Sequence, residues 1–180
     1  GVMFITIRLR NETKDACLPV IGEIIQGSLP NPVVIVFEKE GNVQVGTCLK
    51  RLNKIDKTQV VLEEFAYTPW FSSDSDDETV RQFIDAVHIT ALSFSHFFRF
   101  YQDIHIAVQA FQHAKAIGAF YIATDIESRQ LIAQIEQAEA EIAKWKNKIK
   151  KETQFNRKVE YNMKIQQLTK QIEQWKQQLR

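Results

Sequence analysis

The side chains of this sequence that could do chemistry fall into a few short stretches. The carboxylates worth testing are Glu38 and Glu40 around Lys39, Glu63 with Glu64, and Asp74, Asp76 and Asp77. A metal-dependent nuclease of the restriction type needs an acid and then a strand bearing Glu-x-Lys. Its acids hold Mg²⁺ and its lysine steadies the developing charge. Glu38-Lys39-Glu40 falls in a turn with Gly41 and lacks a suitable lysine; Glu63 and Glu64 fall on a strand without a lysine two residues on. Asp74, Asp76 and Asp77 read as an acidic loop that caps a helix.

Histidines and cysteines add no site. His88, His96, His105 and His113 are spaced eight, nine and eight apart, whereas metal-binding pairs on a helix stand three or four apart. They are expected on a helix surface or in the core, and no metal is expected. Cys17 and Cys48 lack an activating neighbourhood and read as small buried residues. Two cysteines make no disulfide framework, which fits a reducing, cytoplasmic setting. The six glycines are scattered and build no phosphate-cradling loop. No cofactor is expected.

Charge is the feature that stands above background. The 180 residues carry a net charge of +1, but residues 129–180 hold 12 Lys or Arg against 6 Glu, while residues 1–128 are acidic overall. From Lys144 to Lys158 there are seven cations, namely Lys144, Lys146, Lys148, Lys150, Lys151, Arg157 and Lys158, and one carboxylate, Glu152. Lysines at every second position occupy several faces of a helix and cannot all be paired locally. Such a cluster could sit on phosphates, with binding that weakens steeply in salt. The plainer alternative is a solvated helix surface with a few pairs to Glu141 and Glu152. Lys50, Arg51, Lys54 and Lys57 form a smaller basic patch at a strand end.

These residues need elements to position them. Met3–Leu9 alternates and reads as a strand, and Asp15–Gly27 as a short amphipathic helix with Pro19 tolerated in its first turn. Val33–Phe37 is a buried-type strand; Glu38–Asn42 is a turn; Val43–Leu52 and Gln59–Tyr67 are further strands. Ser75 with Glu78 offers a capping box for a helix starting near Asp76. Val80–Tyr121 reads as helical, with a strand as the alternative over the aromatic run "ITALSFSHFFRFY"; Phe83, Val87, Phe94, Phe97, Phe98 and Tyr101 are set to bury against a sheet. Thr124 with Glu127 offers a second capping box.

Two apolar stripes then follow at helical spacing: Ile135, Ala138, Ile142, Trp145 and Ile149, and Ile165, Leu168, Ile172, Trp175 and Leu179. They are out of phase with each other across residues 150–162. Taken from the outside in, they mirror one another as Ile135 with Leu179 through to Ile149 with Ile165. That predicts an antiparallel hairpin folding near Arg157, with Asn156 as the left-handed residue ending the first helix. A single helix with a stutter is the alternative. Trp145, Phe155 and Trp175 are the candidate partner-binding residues, although both tryptophans also suit a core. Hairpins of two copies could also pair as a homo-oligomer.

"QFNRKVEYN" followed by "IQQLTKQIEQW" resembles the C-terminal signature of the bacterial and archaeal family called domain of unknown function 4391. "NPVVIVFEKEGNVQVGTCLKRLN" followed by "VVLEEFAYTPWF" resembles its central block. The resemblance covers roughly residues 20–71 and 128–176. It implies no catalytic residues, and it implies neighbours among DNA methyltransferases and helicases of restriction or phage-defence systems. The family's first strand often carries acids and ends Glu-Leu-Lys; here it reads "FITIRLR", so a function resting on those acids is not carried over.

No run of about 18 apolar residues is present to span a membrane, and the start "GVMFITIRL" lacks the features of a signal peptide. The expected fold is α+β: a small mixed sheet beginning β-α-β and continuing as a meander, a helical layer, and a C-terminal antiparallel helical hairpin. The expected divisions are 1–78 for the sheet with one helix, 79–123 for a helical layer on it, and 124–180 for the hairpin. The expected function is a non-enzymatic adaptor of a DNA-modification, restriction or phage-defence system. Its hairpin would dock a helicase, methyltransferase or nuclease subunit through the apolar stripe, or hold DNA through its tip. The alternative is a metal-dependent nuclease whose acids lie partly in a missing N-terminal segment.

Overall fold

The computed structural model of the chain describes residues 1–56 and 59–179; Lys57, counted above in the smaller basic patch, lies outside them. Two compact units are formed, residues 1–112 and 113–180.

The first unit is built on a four-stranded sheet. Strand β1 (Met3–Arg8) leads through a 3-10 turn at Asp15–Cys17 into helix α1 (Leu18–Ser28), then to β2 (Val33–Lys39), β3 (Asn42–Leu52) and β4 (Val60–Tyr67). The strands lie in sequence order, β1 parallel to β2 and the rest antiparallel. This is the β-α-β start and meander read from the sequence. Glu40 and Gly41 both have positive φ, 51° and 78°. That is the two-residue turn whose twist suits a tight hairpin, with Lys39 and Asn42 as its first pair.

Alternation along β2 explains its unbroken apolar run. Val33, Ile35 and Phe37 pack with Leu18, Ile21 and Ile25 of α1, and Val34 is buried on the other face. A central strand covered on both sides has no polar face to show. Tyr67 lies so close to Gly22 and Gly46 that a β-carbon at either would run into its ring or hydroxyl. Both positions must therefore stay side-chain-free.

Helix α2 (Glu78–Ala86) and helix α3 (Phe97–Ile117) follow. The expected continuous helix over Val80–Tyr121 is interrupted between Val87 and His96. The cap of α2 is Asp77, which accepts from the N–H groups of Thr79 (2.7 Å) and Val80 (3.3 Å), not Ser75. An aspartate one residue before the helix reaches both orphan donors directly. Phe83 and Tyr101 are buried as expected, but Phe94, Phe97 and Phe98 are exposed. The break sets the phase of α3 from Tyr101, Ile104, His105, Val108 and Phe111, and leaves the earlier aromatics outside that buried face.

The second unit contains the end of α3 and the hairpin of α4 (Ile126–Lys151) and α5 (Phe155–Leu179). Asp125 caps α4, accepting from Ser128 N–H at 2.7 Å, where Thr124 was expected. Ile117, Ile132, Ile135, Ala138, Ile142, Ile172 and Leu179 form its core, with Ile165, Leu168 and Trp175 packed against it. The hairpin is present, but it turns at residues 152–154 rather than near Arg157, and Asn156 is inside α5 with no left-handed φ. The rings of Trp145 and Tyr161 stand 5.2 Å apart, so the register differs from the mirror pairing of Trp145 with Leu168 by seven residues. Stripes that repeat every seven residues look the same after such a shift; only the turn fixes which pairing is used.

Candidate functional site

Glu152 organises the turn of the hairpin. Its backbone N–H closes α4 on Lys148 and Ile149 carbonyls. Its carboxylate accepts from the N–H groups of Thr153 (2.9 Å) and Gln154 (3.0 Å). Those bonds, that of Gln154 first, together with the charges of Arg157 and Lys158, hold the carboxyl below its usual range. The one acid of the segment is thus turned inward on the backbone.

Around it the cations remain. Lys144, Lys146, Lys148, Lys150, Lys151 and Arg157 are exposed and Lys158 is half-buried. Among the described residues, the single ion pair made by these seven is Arg157 with Glu152, at 3.8 Å. Lys148, Lys150 and Lys151 lie in the last turn of α4, where positive charge complements the helix dipole. Arg157 and Lys158 do the opposite: they occupy the first turn of α5, which carries no acid, against the positive end of that dipole.

The three aromatic candidates separate clearly. Trp175 packs on the hairpin core. Trp145 is half-buried against Tyr161, donates to Glu141 at 3.3 Å, and has the ammonium groups of Lys148 and Lys164 over its ring at 4.2 and 4.5 Å. It is a staple between the helices, and its edge lines a shallow groove of about 530 Å³ with Lys144 and Lys148. Phe155 is 76% exposed at the start of α5. Phe155 opens α5 just past the turn, Lys150 and Lys151 close α4 just before it, and both tryptophans are left in packing roles.

The smaller basic patch is otherwise engaged. Lys50 donates to the carbonyls of Gln26 (3.0 Å) and Leu29 (2.8 Å) at the end of α1, and burial lowers its pKa. A register shift between Leu49 and Lys50, a bulge that re-aims a side chain, precedes it. Arg51 pairs with Glu63 at 2.6 Å.

The remaining candidates resolve into local bonds. Glu38 pairs with Arg8, Glu64 accepts from Gln109 at 2.7 Å, and Asp76 pairs with Arg81. Among the described residues no three His, Cys, Asp or Glu side chains group as metal ligands would. Thr47 Oγ1 stands 2.9 Å from His105 Nδ1, and His105 Nε2 stands 3.8 Å from Glu64. The order hydroxyl, imidazole, carboxylate resembles a nucleophile's, yet Thr47 and His105 are each only 1% exposed. They tie α3 to the sheet. Nothing in the sequence near Thr47 signals this link, because it joins residues 58 apart.

Fold and tip together describe an α+β chain with a basic helical hairpin. The profile of the family Domain of unknown function (DUF4391) matches residues 1–172, and the chain belongs to that family. No curated protein and no solved structure matches it.

Proposed function

We propose that this chain is a non-enzymatic accessory subunit that holds nucleic acid by its phosphates at the hairpin tip and serves a DNA-modification, restriction or defence machine. The observation that carries the reading is the placement of charge. Lysines at the end of α4 can be explained by helix stability, but Arg157 and Lys158 in the first turn of α5 cannot. Glu152 offsets part of that charge by pairing with Arg157 at 3.8 Å, but among the described residues Lys158 and the lysines at the end of α4 make no ion pair, and an anion would complete the balance. The machine is suggested by the resemblance described above, whose relatives neighbour methyltransferase and helicase genes.

The apolar stripes are packed within the hairpin, while the cations near its tip stay exposed. The test is recovery of the full chain from its native cell, with and without nuclease treatment, beside a variant carrying Lys144→Gln, Lys146→Gln, Lys150→Gln and Lys151→Gln. A helicase, methyltransferase or nuclease recovered with the wild type, and lost in the variant or after nuclease treatment, is the expected result. Recovery of the chain alone, identical in all samples, would contradict the proposal.

A further inference from the structure

Phe155 is the most exposed large apolar side chain among the tip cations. It opens α5, is 76% exposed, and makes no ring contact among the described residues. Lys150 and Lys151, at the end of α4, precede it in sequence, and Arg157 and Lys158, in the first turn of α5, follow it. A helix start gains nothing from an exposed phenyl ring, since polar residues serve better there. An exposed ring with cations flanking it in the sequence does match one ligand chemistry. Unpaired nucleic acid offers a flat base to stack and phosphates on either side to bind. In a duplex the bases are stacked inward and offer only their edges, so the cations would be used and the ring would not.

We infer that the tip prefers unpaired nucleic acid, with the ring of Phe155 stacking on a base and Lys150, Lys151, Arg157 and Lys158 on the flanking phosphates. This rests on the phosphate-binding reading above. It assigns Phe155 to the choice between single and double strands, and the cations to affinity for both.

The experiment is fluorescence anisotropy of the full chain with three labelled probes of equal length, oligo-dT, oligo-U and a mixed-sequence DNA duplex, in about 50 mM salt. Phe155→Ala is compared with wild type, and an unchanged thermal midpoint verifies its folding, since the residue is exposed. The expected result is tighter binding of the single strands than of the duplex by wild type. Phe155→Ala should then lose about tenfold on the single strands, the usual worth of one stacked base, and less than twofold on the duplex. If oligo-dT and oligo-U both lose affinity, the stacking is indifferent to the sugar; if one does, the tip takes that sugar alone, and either result supports the inference. Equal binding of all three probes, unaffected by Phe155→Ala, would overturn the inference and leave phosphate binding standing; the ring would then be free for an apolar pocket of a protein partner. No binding of any probe by wild type would overturn the phosphate reading and this inference together.

Discussion

Tyr101 shows how one side chain can hold a sheet that its own backbone leaves open. The ladder between β2 and β3 ends at the pair Ile35 with Gly46; beyond it Val33 and Val34 pair only with β1, and Cys48 only with β4. The hydroxyl of Tyr101 fills that gap, accepting from Cys48 N–H (2.9 Å) and lying 3.0 Å from the carbonyls of Val33 and Cys48. Burial raises its pKa well above the ordinary tyrosine value, and burial, then the charges of Cys48 and Glu23, push Tyr67 up to about 12. The sign follows from which state ionises first. Above about pH 10 the unfolded tyrosines give up their protons while the folded ones keep theirs, so the stability they contribute is present below pH 10 and lost as pH rises through the folded values. Chemical denaturation across pH 8 to 12 should show stability falling above pH 10, with a slope approaching roughly 1.4 kcal/mol per pH unit for each such tyrosine. Tyr101→Phe should be less stable by about 2 kcal/mol at neutral pH, because it strands the N–H of Cys48, and should show a shallower alkaline slope. A variant as stable as wild type, with an unchanged slope, would mean the hydroxyl is not the bridge described.

Among the elements, strands and hairpin were legible in the sequence because their signals are local. Alternation, the Glu40-Gly41 turn and heptad-spaced isoleucines each depend on neighbours a few residues apart. What was not legible depends on distance. The cap choice between Ser75 and Asp77 is settled by which oxygen reaches the N–H groups of Thr79 and Val80. The exposure of Phe94, Phe97 and Phe98 follows from a break that the aromatic run itself does not announce. The hairpin register is the clearest case: Trp145 opposite Leu168 and Trp145 opposite Tyr161 are equally good patterns, and only the Glu152 turn selects the second. Cross-linking separates them in a Cys17→Ser background. Trp145→Cys with Tyr161→Cys should join under a short bifunctional reagent, while Trp145→Cys with Leu168→Cys should not. The reverse result would return the turn to Arg157 and dissolve the tip as described.

Over the whole molecule, charge is divided along the chain, and the candidate site was legible only in part for that reason. Counting residues located the cations. It did not show that Glu152 is turned onto the backbone, that Lys50 and Arg51 are committed to α1 and Glu63, or that of the three aromatic candidates Phe155 alone faces outward. A segment with a net charge of +6 over residues 129–180, its tip cations nearly all unpaired, should attract a polyanion and release that anion's counterions on binding. The most direct measurement is the salt dependence of oligo-dT binding between about 50 and 300 mM. Four phosphate contacts, those of Lys150, Lys151, Arg157 and Lys158, predict a log–log slope of roughly −2.8 on a single strand, and Lys150→Gln with Lys151→Gln should make it shallower by roughly 1.4, two contacts' worth. A flat salt profile, or a slope that the double variant leaves unchanged, would contradict the claim that this tip holds phosphates.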